Sequence, residues 1–258
     1  MKDVQSREDT RGVKIQQVGV AGVVIPIEVK DKNKGYQSTV GTFDISVELP
    51  ADRKGTHMSR FIEYIQTLDE PLSIQMLTMT ILPEIKNKLE AEKGMISVGF
   101  PYFVDVEAPV SKKTSKLQVY VTFSVYDEDA FLTVDVPVTT LCPCSKEISE
   151  YGAHNQRGHV SICIKADGWV WIEELIEIAN KSASCAIYPL LKRSDEKSVT
   201  ETAYNNPRFV EDVAREAALL LDRHPQISKY NVVSVNHESI HNHNAFACVE
   251  GGDEDEQV

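Results

Sequence analysis

The stretch TFDISVEL, residues 42–49, shows the pattern on which the prediction of the fold rests. Its apolar side chains occupy every second position, and polar side chains lie between them. Because successive side chains of a strand point to opposite faces, this alternation predicts a strand with one buried and one solvent-exposed face. The neighbouring segments supply the elements that can pair with this strand or pack on it.

The surrounding segments follow an order that occurs twice along the chain. In the first half, residues 13–29 and 42–49 predict strands, 58–68 and 72–92 helices, and 96–100 and 117–125 strands. In the second half, residues 131–138 and 160–164 predict strands, 170–184 and 207–223 helices, and 230–240 and 245–249 strands. Pro83 predicts a kink in the second helix, because proline removes a helical hydrogen bond. Each half is therefore read as β-β-α-α-β-β.

This order predicts the fold class and the domain organisation. Hairpins that flank a pair of helices predict antiparallel sheets with helices on one face, an α+β fold. The repetition predicts two modules, residues 13–128 and 129–250, that meet at a polar seam over residues 126–130. Residues 1–12 and the acidic tail 251–258 are predicted to be disordered.

Composition excludes several classes of protein. The chain has 258 residues, of which 42% are hydrophobic and 26% charged, and its formal net charge is −12. This charge argues against a general binder of nucleic acid or of anionic membranes. We find no secretory signal and no apolar stretch of about 20 residues that could span a bilayer. With five cysteines in addition, these features predict a cytoplasmic protein with reduced thiols.

The densest cluster of reactive side chains is LCPCSKEISEYGAHNQRGH, residues 141–159. A cysteine thiolate and the imidazole of His154, about twelve residues apart, can converge on one metal ion if this segment forms a loop. The residues alone do not decide between Cys142 and Cys144. The alternative is a loop with one buried cysteine and exposed histidine and arginine side chains.

A second cluster is HESIHNHNAF, residues 237–246. As a strand it would present His237, His241 and His243 on one face and Glu238 on the other. Closely spaced histidines favour a metal site or an acid–base site. The alternative is a polar strand end at the surface.

Two basic segments complete the set of candidate sites. LLKRSDEKSVTE, residues 190–201, is predicted to be a surface loop of mixed charge, and RKGTHMSRF, residues 53–61, precedes a helix. A helix start with arginine and lysine nearby can bind phosphate, or Thr56 or Ser59 simply caps the helix. Neither a Walker loop, a dinucleotide fingerprint nor a nucleophile-elbow serine is present.

Together, the strings GTHMSRF, LCPCSKEIS, YGAHNQR, LLKR, DEK and ESIHNH resemble the GTP cyclohydrolases of the IB type, a tunnelling-fold family. The resemblance covers roughly residues 12–248, and one departure is Ser194, where the family carries proline. It implies two tandem tunnelling-fold modules that close into a barrel by oligomerisation. It also implies a homotetramer with active sites at subunit interfaces.

The resemblance implies a function as well. That function is the metal-dependent hydrolysis of GTP to 7,8-dihydroneopterin triphosphate and formate, the first step of folate biosynthesis, in which a metal-bound water attacks guanine C8. Such an enzyme is a hydrolase acting on carbon–nitrogen bonds of cyclic amidines. Its cofactor would be one divalent metal per active site, zinc, with manganese or iron as alternatives.

Residue roles carried over from the family are expectations for this chain. The metal ligands would be Cys142, His154 and Glu196, with His241 as a further ligand or a proton shuttle. Glu238 would anchor the guanine edge, and His241 and His159 would transfer protons. The candidate triphosphate partners are Lys192, Arg193, Arg60, Lys54 and Arg157.

Two other functions compete with this one. A tunnelling-fold nitrile reductase would use a cysteine nucleophile and a nicotinamide cofactor instead of a metal. A non-catalytic, oligomeric metal-binding protein would close its metal site with four protein ligands.

Overall fold

The structure is a computed structural model that describes residue 5 and residues 7–252. The predicted disorder of residues 1–12 falls partly outside these residues, and that of the tail falls outside them from residue 253 onward. Within the N-terminal segment, Glu8 forms an isolated β-bridge with Arg53. The last strand extends through Gly252, two residues further than the predicted end of the second module. The chain divides into two compact units, which are described separately.

Unit 1 contains the described residues up to Pro101 together with Thr122–Leu132. Its strands are β1 (Ile15–Asp31), β2 (Gly35–Leu49) and parts of β3 (Gly94–Glu107), β4 (Thr114–Tyr126) and β5 (Asp129–Leu141), in the order β1-β2-β3-β4-β5. Its helices are α1 (Met58–Ile65), α2 (Ile74–Met76) and α3 (Leu82–Leu89). A π-helical turn, Leu77–Ile81, connects the last two.

The alternation in residues 42–49 predicted β2 correctly. Phe43 and Ile45 are buried and lie opposite Val98 and Ile96 of β3 in an antiparallel ladder. The faces are less distinct at the end of the strand, because Ser46 and Glu48 are buried as well. Glu48 forms an ion pair with Lys14 at 2.7 Å, which compensates for part of the cost of burying its charge.

The effect of Pro83 differs from a simple kink. Pro83 is the second residue of α3 and follows the π-helical turn directly. Leu82 donates its backbone N–H to the carbonyl of Leu77, five residues back instead of four. A wider turn at this point is consistent with proline, which lacks an N–H and crowds the carbonyl four residues before it.

Unit 2 contains Tyr102–Val121 and the described residues from Thr133 onward. Its strands are the remaining parts of β3, β4 and β5, then β6 (Asn155–Ala166), β7 (Cys185–Ala186), β8 (Ile227–Asn236) and β9 (Ala245–Gly252). Within this unit the strand order is β3-β4-β5-β6-β8-β9, and β7 pairs with β5. Its helices are α4 (Pro143–Ile148), α5 (Ile172–Ser182), α6 (Arg193–Asn205) and α7 (Val210–Asp222). Helix α7 packs against β8, β9 and α5.

Most predicted elements are present, and three corrections concern the candidate sites. Residues 190–201 were predicted to be a loop, but from Arg193 they form α6. The strand predicted over residues 230–240 ends at Asn236, so the histidine-rich segment is irregular. Helix α4 and strand β7 were not predicted, because elements of six and two residues are too short to show a period. At the predicted seam, β4 and β5 are joined by a tight turn with Asp127 at φ 53°. The two-module division at residue 128 stays a prediction.

Candidate active site

Cys142 lies between the end of β5 and the start of α4. Its Sγ accepts a hydrogen bond from the backbone N–H of Ser145 at 3.4 Å, so the cysteine caps α4. Pro143 occupies the first position of the helix, where a missing N–H costs nothing. The side chain of Cys142 is half-buried, whereas that of Cys144 is exposed.

His154 lies directly beside Cys142. The backbone N–H of Cys142 donates to the carbonyl of His154 at 3.1 Å, and the N–H of His154 donates to Oγ of Ser145 at 3.2 Å. The segment after α4 therefore returns to the cysteine, as convergence of the two side chains on one metal ion requires. On the His154 ring, Nδ1 lies 2.9 Å from Oε1 of Gln156 and 3.4 Å from Oγ of Ser239.

Hydrogen bonds from two other segments hold the end of β5 in place. The N–H of Leu141 donates to Oγ of Ser184 at 3.0 Å, and the N–H of Arg208 donates to the carbonyl of Leu141 at 3.1 Å. Asn206, which ends α6, donates its Nδ2 to the carbonyls of Ala183 and Ser184 at 3.0 and 3.3 Å. Cys142 thus follows a strand end that is tied to the C-terminal end of α6.

Helix α6 places the basic and acidic candidates in its first turn. Lys192, the cap residue before the helix, is exposed, as are Arg193 and Glu196. Ser194, at the departure from the family, is exposed too. Asp195 is fully buried. It accepts hydrogen bonds from the N–H groups of Val110, Ser111 and Lys192 and from the Ser111 hydroxyl.

Hydrogen bonds determine the protonation of Asp195. Burial by itself raises the pKa of the carboxyl group, but the hydrogen bonds from Ser111, Lys192 and Val110 outweigh it together. The pKa of Asp195 therefore lies far below its usual range, and the group is a carboxylate at neutral pH. This carboxylate connects the start of α6 to the turn between β3 and β4.

The histidine-rich segment begins where β8 ends. The N–H of His237 still donates to the carbonyl of Arg157 at 2.9 Å, and the chain then leaves the ladder. The rings of His241 and His243 are stacked with centroids 5.1 Å apart, and both side chains are exposed. Glu238 is half-buried.

His159 on β6 and His237, the residue that follows β8, form a hydrogen-bonded pair. Nδ1 of His159 lies 3.0 Å from Nε2 of His237, with the rings edge to face. Partial burial lowers the pKa of His159, and positive charge on His237 and Arg157 lowers it further, against the opposing effect of Asp135. A neutral ring of this kind can accept a proton near neutral pH.

The basic residues of segment 53–61 belong to unit 1. Arg60 donates from Nη1 to the carbonyl of Lys88 at 2.9 Å, and the backbone N–H of Lys54 donates to the carbonyl of Arg7 at 3.0 Å. Helix α1 begins at Met58 with His57 in the cap position and no side-chain cap, so the alternative in which Thr56 or Ser59 caps it is wrong.

A cavity of about 260 Å³ adjoins the helix start and is lined by, among others, Arg53, His57, Arg60, Glu48 and Glu90.

Cys142 and His154 thus lie side by side, and the Ser239 hydroxyl lies beside the His154 ring. Across residue 5 and residues 7–252, no three His, Cys, Asp or Glu side chains form a group that could hold a metal ion. Glu196 and His241 therefore do not complete such a group within one chain. Gln156 and Asp195 were not predicted, because a polar residue inside a strand and an acid inside a mixed-charge segment carry no signal of burial.

The family of the chain follows from comparison of its sequence with known proteins. The sequence model of a family described as "Type I GTP cyclohydrolase folE2" matches residues 1–247. The chain belongs to this family. The protein named GTP cyclohydrolase FolE2 from Dictyoglomus thermophilum is 49% identical over 255 residues, which cover 98% of each chain. The protein of that name from Thermotoga maritima is 50% identical over 256 residues, again 98% of each.

Solved structures with the same fold are urate oxidases. The enzyme from Bacillus sp. TB-90 superposes with a TM-score of 0.52 at 11% identity, covering 93% of this chain and 100% of the other. The uricase from Arthrobacter globiformis gives 0.51 at 8% identity, covering 100% and 98%. At such low sequence identity, the structural similarity is evidence for the fold alone. It confirms the predicted antiparallel α+β tunnelling fold. Among the described residues, no helix combines the length and the apolar character that a membrane span needs.

Proposed function

We propose that the chain is a GTP cyclohydrolase of the IB type, which converts GTP to 7,8-dihydroneopterin triphosphate and formate in folate biosynthesis. Such an enzyme hydrolyses carbon–nitrogen bonds of a cyclic amidine, and we place it in the cytoplasm. The observation that carries the proposal is that Cys142 and His154 lie side by side: their backbones share a hydrogen bond, and Ser145 is hydrogen-bonded to both residues. The relatives named GTP cyclohydrolase FolE2, about half identical over nearly the whole chain, support the same conclusion.

The residues around Cys142 fit a divalent metal. Thiolate sulfur and imidazole nitrogen are the donors that zinc prefers, and a carboxylate such as Glu196 also admits manganese or iron. Nδ1 of His154 is engaged by Gln156, which leaves Nε2 as the ligand atom. A divalent metal with an open coordination position lowers the pKa of bound water and so supplies a nucleophile near neutral pH.

The other proposed roles belong to side chains around this pair. Glu238 can accept two hydrogen bonds from the guanine N1–H and 2-amino groups. His241 and the neutral ring of His159 would move protons during ring opening and reclosure. Lys192, Arg193 and Arg157 are exposed cations that could bind phosphate oxygens, and Arg60 and Lys54 are further candidates from unit 1.

We propose further that the working site is completed by oligomerisation. No described part of a single chain assembles three metal ligands, so Glu196 and His241 would contribute from a neighbouring subunit. In addition, β1 is an edge strand in unit 1 and β9 is an edge strand in unit 2. Such edges need a partner or a cover, which a barrel formed by several subunits supplies. The homotetramer is the assembly that the family resemblance implies.

Incubation with GTP and a divalent metal tests the proposal. The product, after oxidation, is a fluorescent pterin, and we expect it with zinc or manganese for the unmodified chain but not for Cys142→Ala. Absence of pterin with every divalent metal would overturn the proposal. Reduction of a nitrile by a nicotinamide cofactor would favour the reductase instead. Unfolding on removal of metal, without pterin formation at any stage, would favour a structural metal protein.

A further inference from the structure

A chain of hydrogen bonds leads from the protein interior to the ring of His154. Gln156 lies on β6 with only 6% of its surface exposed, and Thr140 on β5 is fully buried. Nε2 of Gln156 donates to Oγ1 of Thr140 at 3.0 Å. Oε1 of Gln156 lies 2.9 Å from Nδ1 of His154. The side-chain amide of Gln156 therefore links the buried threonine to the imidazole.

This arrangement determines which ring nitrogen of His154 carries the proton. With its NH₂ group directed to Thr140, the Gln156 amide presents its oxygen to His154. An amide oxygen only accepts hydrogen bonds, so Nδ1 must donate and Nε2 is left with a free lone pair. The other neighbour of Nδ1, the Ser239 hydroxyl at 3.4 Å, can donate as well as accept, so it leaves either tautomer possible by itself. Metals bind the unprotonated ring nitrogen.

We propose that Gln156 is a positioning residue that fixes His154 in the tautomer that binds the metal through Nε2. The proposal rests on the proposed function, in which Cys142 and His154 hold a divalent metal. Metal-binding histidines commonly donate their second N–H to a carboxylate, a carbonyl or water, and loss of that partner typically weakens metal binding roughly 10–100-fold. Here the partner is a neutral amide, whose NH₂ group donates to the buried hydroxyl of Thr140.

Three substitutions at these positions separate positioning from packing. Gln156→Leu fills similar space but accepts no hydrogen bond. Gln156→Glu restores an acceptor for the Nδ1 proton, and Thr140→Val leaves Gln156 in place while freeing its amide to rotate. Ser234→Ala is the control, because Ser234 is a buried polar residue of the adjacent β8 that pairs with Val160 instead of with Gln156.

The measurement is the zinc affinity of the full-length chain, stripped of metal and titrated with Zn²⁺ in competition with a chromophoric chelator. We expect Gln156→Leu to weaken binding about 10–100-fold. Gln156→Glu should bind at least as tightly as the unmodified chain, and Thr140→Val should lie between the two. Ser234→Ala should match the unmodified chain. Thermal unfolding of each metal-free variant checks the fold, and if Gln156→Leu does not fold, Gln156→Glu and Thr140→Val carry the test.

Two results would overturn the inference, and they differ from failure of the proposed function. Unchanged zinc affinity in Gln156→Leu, or equal losses in Gln156→Leu and Gln156→Glu, would show that Gln156 does not set the tautomer. Wild-type affinity in both Cys142→Ala and His154→Ala would show instead that the metal site itself is absent. Long-range proton–nitrogen NMR of the metal-free chain gives an independent readout. We expect His154 to be protonated at Nδ1, and a mixture of tautomers in Gln156→Leu.

Discussion

The buried carboxylate of Asp195 accepts two hydrogen bonds from Ser111, one from its backbone N–H at 2.7 Å and one from its hydroxyl at 2.6 Å. The N–H groups of Val110 and Lys192 complete its shell at 2.9 and 2.8 Å. This carboxylate therefore joins the turn before β4 to the start of α6, where Lys192, Arg193 and Glu196 lie. We expect the position of these three residues to depend on it.

Asp195→Asn should destabilise the protein and weaken its activity. Each carboxylate oxygen accepts at least one backbone N–H, so either orientation of an asparagine amide sets its NH₂ group against a donor. We expect the melting temperature to fall by on the order of 5 °C. Glu201→Gln, an exposed change on the same helix, serves as the control and should alter it by less than about 1 °C. Equal melting temperatures for all three proteins would contradict this role.

The low pKa of Asp195 also predicts a pH dependence of stability. Its pKa in the folded chain lies below the ordinary value of 3.8, so the folded state favours the carboxylate. The resulting stabilisation is fully present above pH 3.8 and is lost as the pH falls through the folded-state pKa. Melting temperatures recorded from pH 7 down to pH 2 should therefore fall more steeply for the unmodified chain than for Asp195→Asn. Parallel curves would count against this explanation.

Cys142→Ala and Cys144→Ala should differ in bound metal. Cys142 is half-buried beside His154, whereas the side chain of Cys144 is exposed. We expect the first variant to lose its metal and the second to retain it, as measured by elemental analysis of the purified proteins. Equal loss in both variants, or loss with Cys144→Ala alone, would show that the ligand is assigned to the wrong cysteine.

Gly158→Ala should displace the end of β8 and the segment that follows it. A Cβ atom at Gly158 would lie 2.8 Å from the carbonyl oxygen of Val235 and 3.0 Å from Oδ1 of Asn236. Backbone must then move, and we expect a melting temperature lower by on the order of 5 °C together with loss of activity. At Gly55 the nearest atom would be 3.5 Å away, an ordinary contact, so Gly55→Ala is the matched control for stability. Similar melting temperatures for the two variants would refute the argument.

His237→Ala should raise the pKa of His159. Positive charge on His237 is the second cause, after partial burial, of the lowered pKa of His159, and Arg157 and Asp135 act in opposite directions around it. Removal of His237 should shift the pKa toward the ordinary value of 6.5, as followed by NMR of the ring protons during a pH titration. In His243→Ala, which removes the ring stacked on His241, the pKa of His159 should stay as it is. An unchanged pKa in His237→Ala would exclude coupling of the pair.

Features that depend on local periodicity or on contiguous motifs could be predicted from the amino-acid sequence. Alternation over residues 42–49 predicted β2, and the spacing of apolar residues predicted the long helices α5 and α7. The four motif segments pointed to the family that the whole-chain comparison then showed. These signals survive in a single sequence because their period is set by the backbone geometry of one element.

Contacts between segments that are distant in the sequence could be identified only from the folded structure. Asp195 and Ser111 are 84 residues apart, and His159 and His237 are 78 residues apart. The second pair forms because β6 and β8 are aligned with His159 opposite Val235, a register that depends on both strands at once. In the same way, Gln156 reaches Thr140 because β6 lies next to β5 in the sheet. Hydrogen bonds of this kind have no period along the chain, so only folding reveals which polar side chains are buried and what they bind.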